Sequence, residues 1–232
     1  MNIILQNIYK TKFVEDSEGN LINPFPASIL YEKGLILYDI IKKTKAKNTL
    51  EIGMAYGLSS LFILQAHRDN GIGIHTAIDP MESTSWKSIG LLNVRRAGLE
   101  DLFKFYGIPS YIALPKLLIE EQQFDFVFID GNHTFDYTLV DFFYTDKLLN
   151  IGGYVMLDDL WMPSIRKVLA FILRNRNFEV ILENRNSLKT FSRKIKNKIQ
   201  NPLTRDYSQG FTHCLLRKIS EDNRKWDDYK SF

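Results

Sequence analysis

The sequence predicts an α/β domain, a mostly parallel β-sheet with helices on both faces. Three observations carry this. Short apolar runs alternate with helical patterns over residues 48–182. The runs are continuously apolar rather than alternating, as strands buried on both faces should be. The 232 residues, 45% hydrophobic and 25% charged, are enough for one full layered core.

Taken in order, residues 2–12 are weakly patterned and 16–20 read as a turn. Asn23-Pro24-Phe25-Pro26 is a rigid, extended break, because a residue before proline is pushed out of the helical region. Ser28 is placed to cap a helix running to Lys43, with Leu30, Leu37, Ile40 and Ile41 on one side. Residues 49–52 form a buried strand ending at Gly53, 59–67 a helix, and Ile74–Ile78 a second strand. Residues 88–103 are mostly helical, interrupted by Gly98, and 111–121 form another helix. Phe124–Ile129 is the clearest strand. A helix over 135–149 is closed by Gly152-Gly153, followed by strand 154–157, helix 165–174 and strand 178–182. Residues 214–219 read as a last strand. No good crossover helix joins it to 178–182, which favours an antiparallel placement. Residues 220–232 read as a tail packed on the body.

Composition excludes several classes. No apolar run approaches the roughly 20 residues of a membrane-spanning helix, and no leader pattern stands at the start. The single Cys214 excludes an internal disulfide framework and a cysteine metal cluster, so a reducing cytoplasm is the expected setting. The formal charge is +3, but Arg185, Lys189, Arg193, Lys194, Lys196 and Lys198 lie in one stretch without acids. The basic character is local, and a nucleic-acid-binding body is not indicated.

The segment from Leu50 to Ser60, Leu-Glu-Ile-Gly-Met-Ala-Tyr-Gly-Leu-Ser-Ser, runs strand, tight turn, helix. Ligands of open parallel sheets bind at such turns. The spacing Gly53-x-Ala55-x-Gly57 departs from the dinucleotide fingerprint. Glu51 would be a poor neighbour for a pyrophosphate and a good one for an ammonium group. Asp79 ends the next strand, 22 residues after Gly57, where an acid takes ribose hydroxyls. The bland alternatives are packing glycines and a turn-forming aspartate before Pro80.

From Glu51 through Ser59, and again at Ile78-Asp79-Pro80, the chain resembles the class I S-adenosylmethionine-dependent methyltransferases. Within them it is similar to bacterial macrocin-type and catechol-type O-methyltransferases. The resemblance covers about residues 26–176 and the closing strand. It implies a three-layer Rossmann-like fold, with a mostly parallel seven-stranded sheet and an antiparallel last strand. It implies that Glu51 lies near the methionine amino group and that Gly53, Ala55 and Tyr56 belong to the cofactor site. Ser59 would meet the methionine carboxylate, Asp79 the ribose, and Ser110, within Gly107-Ile108-Pro109-Ser110, the adenine side.

The best strand ends in Asp130-Gly131-Asn132-His133, and the next in Asp158-Asp159. Both leave the sheet on the ligand side, so three carboxylates should converge, and unpaired they would raise one another's pKa. A divalent cation resolves this, and oxygen ligands favour Mg²⁺, Mn²⁺ or Ca²⁺. The alternatives are cofactor binding by Asp130 without metal and capping of the next helix by the Asp158-Asp159 doublet. The resemblance supports Asp130, Asp158 and Asp159 as metal ligands, Asp130 also beside the cofactor, and His133, three residues after Asp130, as the catalytic base. An ordinary imidazole is suited to that task near neutral pH.

Residues 184–212 place Leu188, Phe191, Ile195 and Ile199 at helical spacing between basic residues. They are expected to form a helical flap, with peripheral membrane contact the lower-ranked alternative. Residues 1–46 are expected to serve as a substrate-side segment or lid, and 47–219 as the methyltransferase domain. The expected reaction is O-methylation of a sugar, polysaccharide precursor or small natural product, from S-adenosylmethionine and with Mg²⁺. The alternatives are a metal-independent methyltransferase on another nucleophile and an NAD-dependent oxidoreductase. The acceptor would be shaped by residues 1–26, the region of Trp86 and 184–212. The first helix and the insertion are candidates for a homodimer contact.

Overall fold

The computed structural model describes residues 1–181 and 213–232. The insertion 184–212 lies outside the described residues, so its flap and membrane readings stand as expectations.

The chain opens with α1 (Ile3–Thr11) and a two-stranded antiparallel hairpin, β1 (Val14–Glu15) and β2 (Leu21–Ile22). Asp16 closes its turn by accepting the backbone N–H groups of Glu18 and Asn20. There follow α2 (Tyr31–Thr44), β3 (Asn48–Ile52), α3 (Leu58–Asn70), β4 (Ile74–Ile78), α4 (Ile89–Arg96) and β5 (Phe103–Tyr106). The second half runs α5 (Ser110–Ile119), β6 (Phe124–Ile129), α6 (Phe135–Leu148), β7 (Leu149–Leu157), α7 (Pro163–Asn175), β8 (Phe178–Ile181) and β9 (Cys214–Lys218).

Strands β3 to β9 form one sheet in the order β5-β4-β3-β6-β7-β9-β8. The pairs from β5 to β7 are parallel, whereas β9 runs antiparallel to both β7 and β8, as expected. The crossovers diverge between β3 and β6, which opens a crevice at the carboxyl ends of those strands. Helices α1 to α4 pack on one face and α5 to α7 on the other. The alternation of β6 shows why its sequence is apolar throughout. Phe126 and Phe128 enter the first core, and Val127 and Ile129 the second.

Several local expectations are corrected. Residues 3–11 are helical, with Asn2 capping α1 through its side chain and Leu5 and Ile8 buried. Ser28 does not cap α2; the cap position is Leu30, which makes no side-chain cap bond and is 64% exposed rather than buried. The stretch expected to be helical to residue 103 ends at Arg96, and Phe103–Tyr106 is the edge strand β5. Gly152-Gly153 do not separate α6 from the next strand. They lie within β7, where Phe124 faces Leu149 but Phe126 faces Tyr154, so the residues between bulge outward. Among the described residues no helix is long and apolar enough to cross a membrane. The tail is pinned to α7, because the Asn175 side chain bonds both backbone groups of Lys230.

Candidate active site

The turn after β3 is built by one close approach and one carboxylate. Gly53 has φ +90°, and a Cβ there would lie 2.1 Å from the Asp130 carbonyl oxygen. Only glycine lets the ends of β3 and β6 meet so closely. Ala55 also takes a left-handed conformation, φ 46°, which costs an L-residue about 1–2 kcal/mol. Asp79, at the end of β4, holds the turn in place. Its Oδ2 accepts the backbone N–H groups of Met54 (3.0 Å) and Ala55 (2.8 Å), and its Oδ1 that of Met81 (2.8 Å).

A cavity of about 500 Å³ opens over these strand ends. Gly53, Ala55, Ser59, Asp79, Ser110 and Asp130 all line it, and so do His133, Asp158, Asp159 and Trp86. Glu51 and Tyr56, read as cofactor residues, are not among its lining residues. Glu51 is fully buried. It accepts a hydrogen bond from the Ser60 hydroxyl and lies 3.3 Å from Nε2 of His75. The cause is strand alternation: Leu50 and Ile52 face the α5–α7 core, so Glu51 faces α3. There it joins a buried polar chain with Thr49, His67 and His75. Tyr56 instead packs edge-on against Trp86, ring centroids 5.1 Å apart.

Ser110, the first residue of α5, lines a small hollow together with Asp141 of α6. Burial pushes the Asp141 carboxyl up to about 6.

The three carboxylates converge, but they are not equivalent. Asp130 and Asp159 group with His133, their ligand atoms within 4.8 Å of one another. His133 Nε2 lies 2.9 Å from Asp159 Oδ2 and 3.5 Å from Asp130 Oδ1, in ion-pair range of both. Neither contact has hydrogen-bond alignment. Asp158 is turned away from this group and takes Lys33 of α2 as its partner, with Nζ at 2.6 and 2.8 Å from its two oxygens. The carboxylates therefore do not form a single three-ligand set. Nor do they cap α7, whose N-cap is Met162 with Pro163 following.

The electrostatics follow from these contacts. Burial pushes the Asp130 carboxyl up to about 7, with Asp158 and Asp159 adding to the rise and His133 opposing it. The contacts with Asp130 and Asp159 push His133 up to about 10, so the imidazole here is a cation rather than a ready base. The same contact with His133 holds Asp159 below the usual carboxylate range.

Lys33 is the site residue that sequence motifs missed. A signal existed: Lys33 shares the helical stripe of Leu37, Ile40 and Ile41, and a lysine on a buried stripe needs a partner.

Residues 50–160 match the family model described as a methyltransferase domain. A caffeoyl-CoA O-methyltransferase from Populus kitakamiensis is 31% identical over 148 residues, covering 60% of this chain and 58% of its own. The chain thus spans a little over half the length of the curated relatives it matches. The O-methyltransferase of Bacillus cereus, solved in complex with SAH, superposes with a TM-score of 0.62 at 20% identity, covering 78% of this chain and 83% of its own. TomG of Streptomyces achromogenes, an O-methyltransferase solved with SAM, gives 0.59 at 18% identity, covering 95% and 91%. Residues 50–160 thus match a methyltransferase domain, and the chain shares its fold with these solved O-methyltransferases. Its curated relatives include caffeoyl-CoA O-methyltransferases.

Proposed function

We propose that the protein transfers the methyl group of S-adenosylmethionine to a hydroxyl oxygen of a small molecule or sugar, at the end of the cavity marked by Asp130, His133 and Asp159. The observation that carries this is the convergence on one cavity of the Gly53 turn, Asp79 and this acid–histidine cluster. A cofactor with an amino acid end and no phosphate suits a turn that lacks the pyrophosphate fingerprint. The same departure speaks against an NAD-dependent oxidoreductase. Gly53 and Ala55 would border the methionine part, Ser59 its carboxylate, Asp79 the ribose and Ser110 the adenine side.

When bound, S-adenosylmethionine would supply an activated methyl group for in-line transfer to the acceptor oxygen, with the thioether as leaving group. The chain's residues must hold the acceptor in line and remove its proton. Alignment alone can lower the barrier by several kcal/mol. His133 is the proton acceptor in reach, but only once another positive charge satisfies Asp130 and Asp159. The carboxylates of Asp130 and Asp159 fit a divalent cation, which would leave the His133 imidazole to act as the base. Such an ion would supply Lewis acidity that lowers the pKa of the hydroxyl.

A metal-independent mechanism is the second reading, and the Lys33–Asp158 pair favours it. The two readings part on one experiment: transfer of a labelled methyl group to a panel of hydroxyl acceptors, with Mg²⁺ and after exhaustive chelation. Transfer that needs the ion supports the first, transfer unchanged by chelation the second, and no transfer to any hydroxyl contradicts both.

A further inference from the structure

Lys33 reaches the acidic cluster from outside the β-sheet. Its side chain is 14% exposed and that of Asp158 3%. The ammonium contacts both oxygens of Asp158, and Lys33 itself lines the cavity. Its position is fixed by packing: the neighbouring Gly34 sits so close to Phe62 of α3 that a Cβ would fall 2.0 Å from the ring. The helix is thus packed tightly on α3, and withdrawing the charge asks least of the lysine side chain.

In this corner the Lys33 ammonium meets Asp158, and the His133 imidazole lies between Asp130 and Asp159. A divalent ion that used Asp158 would meet a carboxylate whose two oxygens are already engaged. Two cations that bind one carboxylate exclusively must weaken each other, and by linkage the effect is reciprocal.

We propose that Lys33 occupies the cation position at Asp158, so that the site's affinity for a divalent metal is set by competition between the metal and this ammonium. The inference rests on reading the acidic cluster as the acceptor end of a methyltransferase cavity. Lys33 then acts as a positioning residue. It keeps the buried Asp158 satisfied when no metal is present and makes metal binding conditional on its own displacement. A buried carboxylate left without a partner is strongly unfavourable, which is why removing Lys33 should turn Asp158 into a stronger metal ligand.

The test is Mn²⁺ binding, read by loss of the free-ion electron paramagnetic resonance signal, in the wild type and in Lys33→Met, Lys33→Arg and Lys33→Met/Asp158→Asn variants. Methionine keeps an apolar stem of similar length without the charge. The expected result is Mn²⁺ binding about tenfold tighter in Lys33→Met, within the usual range of coupling between sites. Lys33→Arg should bind like the wild type, and the double variant should lose the gain. A second readout guards against poor folding. Lys33→Met should melt below the wild type in chelator and gain more stability from added Mn²⁺. Unchanged or weaker Mn²⁺ binding in Lys33→Met, or no binding in any variant, would overturn the inference. Calorimetry with S-adenosylhomocysteine in chelator tests the methyltransferase reading separately, because it involves no metal.

Discussion

The carboxylate of Asp79 lies across the turn from Ala55 and accepts its backbone N–H at 2.8 Å. A residue read as a ribose ligand is thus also the clamp of the glycine turn. Both roles can coexist, since each carboxylate oxygen accepts more than one bond. Asp79→Ala should lower stability by about 2 kcal/mol, in line with loss of hydrogen bonds to a buried charged group, and should lower S-adenosylhomocysteine affinity with it. Urea unfolding and calorimetry on one preparation measure both. Full affinity with reduced stability would leave Asp79 only the structural role.

Gly53→Ala should be more disruptive. The added Cβ would meet the Asp130 carbonyl at 2.1 Å, in a backbone region disfavoured for L-residues. Strain of this kind costs about 1–3 kcal/mol, and here it falls on the strand end that carries Asp130. The expected outcome is a lower melting temperature together with weakened Mn²⁺ and cofactor binding. A variant as stable as the wild type would show that β3 and β6 do not approach as described.

Glu51 separates the structural reading from the sequence-based one. It lies buried beneath α3 with Ser60 and His75. Glu51→Gln should therefore leave S-adenosylhomocysteine affinity within about threefold, while lowering stability by about 1–3 kcal/mol, as for other perturbed buried hydrogen bonds. Affinity lost out of proportion to stability would place Glu51 at the methionine amino group after all.

The His133 cation gives a pH signature in chelator. A histidine whose folded pKa is raised from 6.5 to about 10 stabilises the fold fully below pH 6.5, and loses that contribution as pH rises through 10. Asp130, raised from 3.8 to about 7, acts in the same direction: its ionisation removes stability as pH rises from about 4 to 7. The two groups titrate as a linked set. Melting temperature in chelator should therefore fall faster between pH 7 and 10 for the wild type than for His133→Gln. Parallel curves would contradict the ion pairing.

Much of the fold was legible because strands buried on both faces read as unbroken apolar runs. Phe124–Ile129 feeds both cores and left no ambiguity. The edge strand β5 was not legible: it spans only Phe103–Tyr106, with Lys104 exposed, and follows directly on a helical turn. The convergence of Asp130, Asp158 and Asp159 could be read from strand polarity alone. Their unequal partners could not, since Lys33 comes from a helix 125 positions away in sequence from Asp158. Glu51 lies within a cofactor-like motif, yet the two-residue period of β3 sends its side chain to the α3 side.

The central claim is that the cavity over Gly53 and Asp79 binds S-adenosylmethionine. Isothermal titration calorimetry of the purified protein with S-adenosylhomocysteine tests it most directly, with NAD⁺ as the comparison. One-to-one binding of S-adenosylhomocysteine, weakened in Gly53→Ala and absent for NAD⁺, is the expected result. Binding of NAD⁺ alone, or S-adenosylhomocysteine affinity untouched by Gly53→Ala, would contradict it.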